Sequence, residues 1–120
     1  MVMLRRISLQ KVGEVTVVTF VDKKILDEVT IQEVGNELFQ LVERDGCKKL
    51  LVDFGSVEFL SSAALGKLNT LDNKAKAHEC SLKFCSIRPQ IMEVFKITRL
   101  NQKFDIKKDG AEAMKAFGLP

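Results

Sequence analysis

Apolar residues recur along this chain in two rhythms, a period of two in short runs and a helical period in longer ones. Ile7 to Lys11 and Val15 to Val21 are β-branched runs parted by Gly13 and Glu14, which predicts a hairpin. Lys23-Lys24 then leads to Asp27, a candidate N-cap, or to Thr30 with Glu33 three residues on, a capping-box pattern. From there Ile31, Val34, Leu38, Leu41 and Val42 repeat at helical spacing through Arg44, and Asp45-Gly46 closes the helix. Lys49 to Phe54 is a short apolar run, as expected of a central strand covered on both faces. After Ser61 a second helix carries Ala64, Leu65, Leu68, Leu71 and Ala75 inward, with Lys67, Asp72, Asn73, Lys74 and Lys76 on the wet side. Ser81 to Ile87 reads as a strand. Arg88-Pro89 starts a third helix with the stripe Ile91, Val94, Phe95 and Thr98. Phe104 to Lys107 is a short edge strand, and Asp109 caps a last helix holding Ala113, Met114 and Phe117. The expected order is β-β-α-β-α-β-α-β-α. Strands alternating with helices predict an α/β fold, with a mixed, mostly parallel sheet of about five strands and about four helices.

Composition narrows the class. The chain has 120 residues, enough to close one core, and a single domain over 1–120 is expected. Its 19 basic and 16 acidic side chains leave a formal charge of +3, too small and too interleaved to imply nucleic acid. Three cysteines, an odd number, argue against a disulfide framework and fit a reducing cytoplasm. Arg5-Arg6 is followed by no apolar run long enough for a signal peptide, and Val15 to Val21 is too short to span a bilayer. No membrane partner is expected.

Candidate chemistry concentrates in Leu50 to Gly66, where a strand, a turn and the serine pair Ser61-Ser62 open a helix. Hydroxyls there lie beside unpaired backbone N–H groups and the positive end of the helix dipole, a setting that favours an added anion. The residue chemistry alone also allows a plain N-cap and its neighbour. A serine hydrolase is excluded: there is no Gly-x-Ser-x-Gly elbow. The single histidine, His78, lies sixteen positions along the same helix from Ser62, on the order of 24 Å away. The chain has no Walker-type glycine loop. His78, Cys80 and Cys85 lack a fourth ligand and the close cysteine pairs of zinc sites, so no metal and no cofactor are expected. The chain reads as a substrate of a kinase and not as an enzyme.

The element order, with the serine turn after the third strand, resembles the STAS domain of anti-sigma factor antagonists. The family signature is a strand ending in Asp, a few residues, then apolar-apolar-Asp-Ser-Ser/Thr-Gly-Leu-Gly. Asp53 matches the strand-end aspartate, Phe59-Leu60 the apolar pair and Leu65-Gly66 the close of the motif, while Ser62 falls at the phosphorylated serine. Leu26-Asp27 followed by Thr30 is similar to the family's Leu-Asp-x-x-Thr upstream. The chain departs at Ser61, where the family is acidic, at Ala63 for Ser/Thr, and at Ala64 for the first Gly; Lys24 lies where a Gly usually precedes Leu-Asp.

The resemblance implies a STAS-like fold and regulatory partner switching. The unphosphorylated protein would bind an anti-sigma factor that is also a serine kinase. Phosphorylation of Ser62, or failing that Ser61, would end that binding, and a phosphatase would restore it. Asp27, Thr30, Asp53, Ser61, Ser62, Ala64 and Leu65 are the expected partner-facing residues, on a monomer or weak dimer. The departures also allow a second reading, a degenerate module that binds a protein or small ligand constitutively without switching.

Overall fold

In the computed structural model, which describes residues 4–118, the two rhythms become a twisted sheet with helices on both faces. Strands β1 (Ile7–Val12) and β2 (Val15–Phe20) form the opening antiparallel hairpin. Gly13 turns it at φ +59°, a conformation a side chain would strain. A two-residue strand β3 (Lys24–Ile25) enters α1 (Glu28–Glu43), and β4 (Lys49–Asp53) returns parallel to β2. A second two-residue strand, β5 (Phe59–Leu60), enters α2 (Ser62–Ala77), and β6 (Ser81–Cys85) returns parallel to β4. Helices α3 (Pro89–Ile97) and α4 (Leu100–Lys103) lead to β7 (Ile106–Lys107), parallel to β6, and α5 (Gly110–Ala116) follows. The main sheet runs β1-β2-β4-β6-β7; β3 and β5 pair separately. Met1 to Met3 and positions 119–120, part of the single domain expected over 1–120, lie outside the described residues.

Alternation along the strands divides the core between two layers. Val18, Phe20, Leu50, Val52, Leu82 and Phe84 point to one face, under α1, α2 and α3. Val15, Leu51 and Cys85 point to the other, under Ala113 and Phe117 of α5 and its cap. Phe54, fully buried just past β4, stacks its ring 5.1 Å from Phe20, 5.7 Å from Phe84 and 6.1 Å from Phe95. Burying a large apolar side chain contributes about 1.5–3 kcal/mol, so this ring cluster is a firm floor beneath the loop that precedes α2.

Several details differ from the pattern reading. Asp27, not Thr30, caps α1. The strand expected over Ser81 to Ile87 stops at Cys85, where Ser86 takes φ +60°. Phe104, expected in the last strand, instead ends α4 with its ring buried against Phe84 and Phe95. Thr98 of the expected α3 stripe is exposed. Helix α4 and the strands β3 and β5 were not expected. All three are too short for a periodicity to show.

Candidate functional site

The pair β3 and β5 is small, yet it places the two longest helices. Lys24 pairs with Phe59 and Ile25 with Leu60 in parallel register. The Lys23 carbonyl accepts from Glu58 N–H at 2.8 Å, and the Ile25 carbonyl accepts from Ser61 N–H at 3.1 Å. Immediately beyond this ladder both chains turn into helix, so α1 and α2 start abreast. Their caps, Asp27 and Ser61, are neighbours. The last bond of the ladder, from Ser61 N–H to the Ile25 carbonyl, leaves Asp27 and Ser62 each within two residues of it, at the same edge.

Each cap is made by a side chain. The Asp27 carboxylate accepts from Thr30 N–H at 3.0 Å. The nearby Thr30 hydroxyl first, and the backbone bond second, hold the Asp27 carboxyl below its ordinary value. Ser61 Oγ accepts from Ala64 N–H at 3.2 Å, with Ser61 in extended conformation at φ −83° and ψ 164°. Ser61 is therefore the N-cap and Ser62 the first residue of the helix. The Ser62 side chain is exposed and the capping bond does not use it.

The loop from Asp53 to Leu60 is fixed from three sides. Asp53 Oδ1 accepts from Gly55 N–H at 2.7 Å, ending the strand in a tight turn, and lies 3.0 Å from where a Cβ on Gly55 would be. Ser56 Oγ donates to the Phe20 carbonyl at 2.9 Å. From the start of α3, Arg88 Nη2 donates to the Gly55 carbonyl at 3.0 Å and Gln90 Nε2 to the Glu58 carbonyl at 3.4 Å. Asp53 shapes the turn and makes no direct bond to the serines.

The expected partner-facing residues thus separate into two groups. Asp27, Ser61 and Ser62 come together at an accessible edge. Thr30 is 6% exposed and turned toward its cap, while Ala64 and Leu65 are 5% and 2% exposed and belong to the core. Those three, expected to face a partner, are buried beneath the surface in this structure. The methyl of Ala64, where the signature has glycine, accordingly packs inward and does not obstruct the helix tip.

Residues not singled out by the pattern complete the surface. Leu26, Val29 and Phe59 are 50%, 63% and 49% exposed around the two helix starts. Lys24 Nζ lies 5.5 Å from the Phe59 ring centre. A shallow groove of about 390 Å³ runs between the helices, lined by Leu26, Glu28, Ile31, Gln32, Ala63 and Lys67. A signal for Val29 exists in the sequence, because it falls out of phase with the buried stripe from Ile31 to Val42 of α1.

Among the described residues no cluster of three or more His, Cys, Asp or Glu could hold a metal ion, and no helix is long and apolar enough to cross a membrane. A family model described as the STAS domain matches residues 6–113. Solved structures share the fold. An anti-sigma-factor antagonist (STAS) domain protein from Planctomyces limnophilus is 20% identical, with 93% of this chain and 97% of that one covered at a TM-score of 0.79. An anti-sigma factor antagonist from Mycobacterium paratuberculosis is 23% identical over 92% and 91%, also at 0.79. The Bacillus cell fate determinant SpoIIAA in its phosphorylated form is 15% identical over 92% and 98%, at 0.69.

Proposed function

The chain belongs to the STAS domain family, and from that premise we propose that it is an anti-sigma factor antagonist-like regulator switched by phosphorylation of Ser62. In the unphosphorylated state the exposed Leu26, Val29 and Phe59, with the groove between α1 and α2, receive an anti-sigma factor that is also a serine kinase. The kinase transfers the γ-phosphoryl group of ATP to Ser62 Oγ, ADP leaves, and the serine proton passes to the kinase's base. A phosphatase reverses the step by hydrolysis. The setting for this exchange is the cytoplasm.

One observation carries the reading: the cap is made by Ser61, so the neighbouring hydroxyl of Ser62 is exposed and can be modified without dismantling the helix. A phosphate there adds about −1.5 to −2 charges and three acceptor oxygens. The orphan N–H groups of the first turn and the helix dipole tolerate it on this chain. A partner seated against apolar side chains would have to desolvate it. That SpoIIAA, which shares this fold, has been solved in a phosphorylated form supports the reading.

Incubation with ATP and the small serine kinase encoded nearest to this protein, followed by mass spectrometry, should find one phosphate on Ser62. Calorimetry should find binding to that kinase weakened about a hundredfold by phosphorylation or by Ser62→Asp, equivalent to about 2.8 kcal/mol. Absence of phosphate from both serines, together with unchanged binding of Ser62→Asp, overturns the proposal.

A further inference from the structure

At the sheet edge remote from Ser62, where β4 and β6 begin, two cysteines meet. Lys49 pairs with Ser81, and Ser81 N–H donates to the Lys48 carbonyl at 2.8 Å. One step further back the same register sets Cys80 beside Lys48, with Cys47 diagonal to it. At strand spacings of about 4.8 Å across and 3.3 Å along, such a diagonal separates Cα atoms by about 6 Å. A disulfide spans that distance without backbone movement. Both backbones are anchored: Cys47 N–H donates to the Leu41 carbonyl at 3.0 Å and Cys80 N–H to the Ala75 carbonyl at 2.7 Å. Both thiols are free and both pack on the same apolar cluster, and Cys47 Sγ lies 3.4 Å from the Lys49 carbonyl at the start of β4.

The two sulfurs differ in access. Cys80 is 7% exposed, whereas Cys47 is half-buried and lines an open cavity of about 620 Å³ together with Lys11, Thr16, Lys48 and Lys49. The neighbouring Cys80 thiol, foremost, with the Thr16 hydroxyl and the charge of Lys11, brings Cys47 down to about 6 against the opposing effect of burial. The same contact, with burial, pushes Cys80 up. Near neutral pH the accessible sulfur is then the thiolate and its buried neighbour keeps its proton, the division of roles between an attacking and a resolving cysteine. Cys85, on the other face of the sheet under α5, is fully buried and pushed up to about 11 chiefly by that burial.

We propose that Cys47 and Cys80 form a redox-convertible dithiol, with Cys47 attacking a hydroperoxide and Cys80 closing the disulfide. The Cys47 thiolate bonds to one peroxide oxygen as the O–O bond breaks, and the departing hydroxide takes a proton to become water. Cys80 sulfur then bonds to Cys47 sulfur; its thiol proton leaves with the sulfenic oxygen, as a second water. The two thiols lose two electrons and the peroxide gains them. This site is independent of the phosphorylation reading.

Reduced full-length protein is treated with stoichiometric hydrogen peroxide at neutral pH, free thiols are alkylated, and peptides are mapped without reductant. A Cys47–Cys80 crosslink that dithiothreitol removes, with Cys85 still alkylated and oxidised about tenfold more slowly or less, is the expected result. In Cys80→Ser, dimedone should trap sulfenic acid on Cys47; in Cys47→Ser, Cys80 should remain a thiol at the same dose. Wild-type protein in which Cys47 oxidises while Cys80 stays alkylatable, in which Cys85 is the partner, or in which neither Cys47 nor Cys80 reacts overturns the proposal, and that map needs no variant to fold.

Discussion

Ser61 and Ser62 are adjacent and chemically alike, yet their roles follow from one hydrogen bond and can be separated. Ser61→Ala removes the oxygen that accepts from Ala64 N–H at 3.2 Å. Loss of a serine N-cap costs about 1 kcal/mol, within a range of roughly 0.5–2. For a chain of this length that corresponds to a fall in Tm of about 3–6 °C. Ser62→Ala removes an exposed hydroxyl outside the capping bond, and alanine is the better helix former, so stability should stay within about 0.5 kcal/mol of the parent. Urea denaturation at equal protein concentration, with a common slope, resolves these differences. In the kinase reaction the order reverses: Ser61→Ala should still accept phosphate, and Ser62→Ala should not. The reasoning is refuted if Ser62→Ala is the more destabilising of the two, because the helix would then start one residue later and Ser62 would be its structural cap.

The acid limb of stability should depend on Asp27. The Thr30 hydroxyl and N–H hold its carboxyl below the ordinary value, so the folded state binds that proton less readily than the unfolded chain. Its contribution is complete above the unfolded value of about 3.9 and is lost as pH falls through the lowered folded value. Asp27→Asn keeps a good cap without the charge, and its urea midpoint should fall less than the parent's as pH drops through that window. Midway along α1, Glu37 is 7% exposed and accepts from the N–H groups of Arg5 at 3.0 Å, Arg6 at 3.0 Å and Ile7 at 3.3 Å. Glu37→Ala leaves those donors unpaired and should cost about 3 kcal/mol in urea denaturation, while Glu37→Gln, which retains an acceptor oxygen, should cost less.

The fold was readable where an element was long enough to repeat its pattern. The stripe Ile31, Val34, Leu38, Leu41 and Val42 marks α1, and all five are buried. The unbroken run Leu50-Leu51-Val52 marks a strand covered on both faces, with Leu51 in one layer and its neighbours in the other. Caps were readable too, since Asp27 and Asp109 each accept from the N–H three residues on. Two-residue strands carry no period, and β3 and β5 are defined by each other across more than thirty residues of chain. That hidden pairing is what sets the starts of α1 and α2 at one edge. The motif could therefore name Asp27 and Ser62 while giving no reason for their helices to start together. It also could not separate Thr30, Ala64 and Leu65, which face inward, from Asp27 and Ser62, which face out, because a helix start exposes alternate sides within a single turn.

The departure at Ser61 bears on the proposed switch through charge. With an acidic residue at the cap, as in the family signature, the paired helix starts would hold two carboxylates, one at Asp27 and one beside the phosphorylated serine. Here Ser61 caps α2 with a neutral oxygen, and Asp27 is the only charged cap of the two. At a separation of about 6 Å, a doubly charged phosphate and one carboxylate would oppose each other by about 1–2 kcal/mol in water-like surroundings. A second carboxylate on the adjacent residue would add at least as much again. The hydroxyl at Ser61 thus keeps the helix start intact while lowering the electrostatic cost of the phosphorylated state. Modification adds about −1.5 to −2 charges to a surface that already carries the carboxylates of Asp27 and Glu28. The substitution that most weakens the motif as a string of letters is consistent with the chemistry the site is proposed to perform.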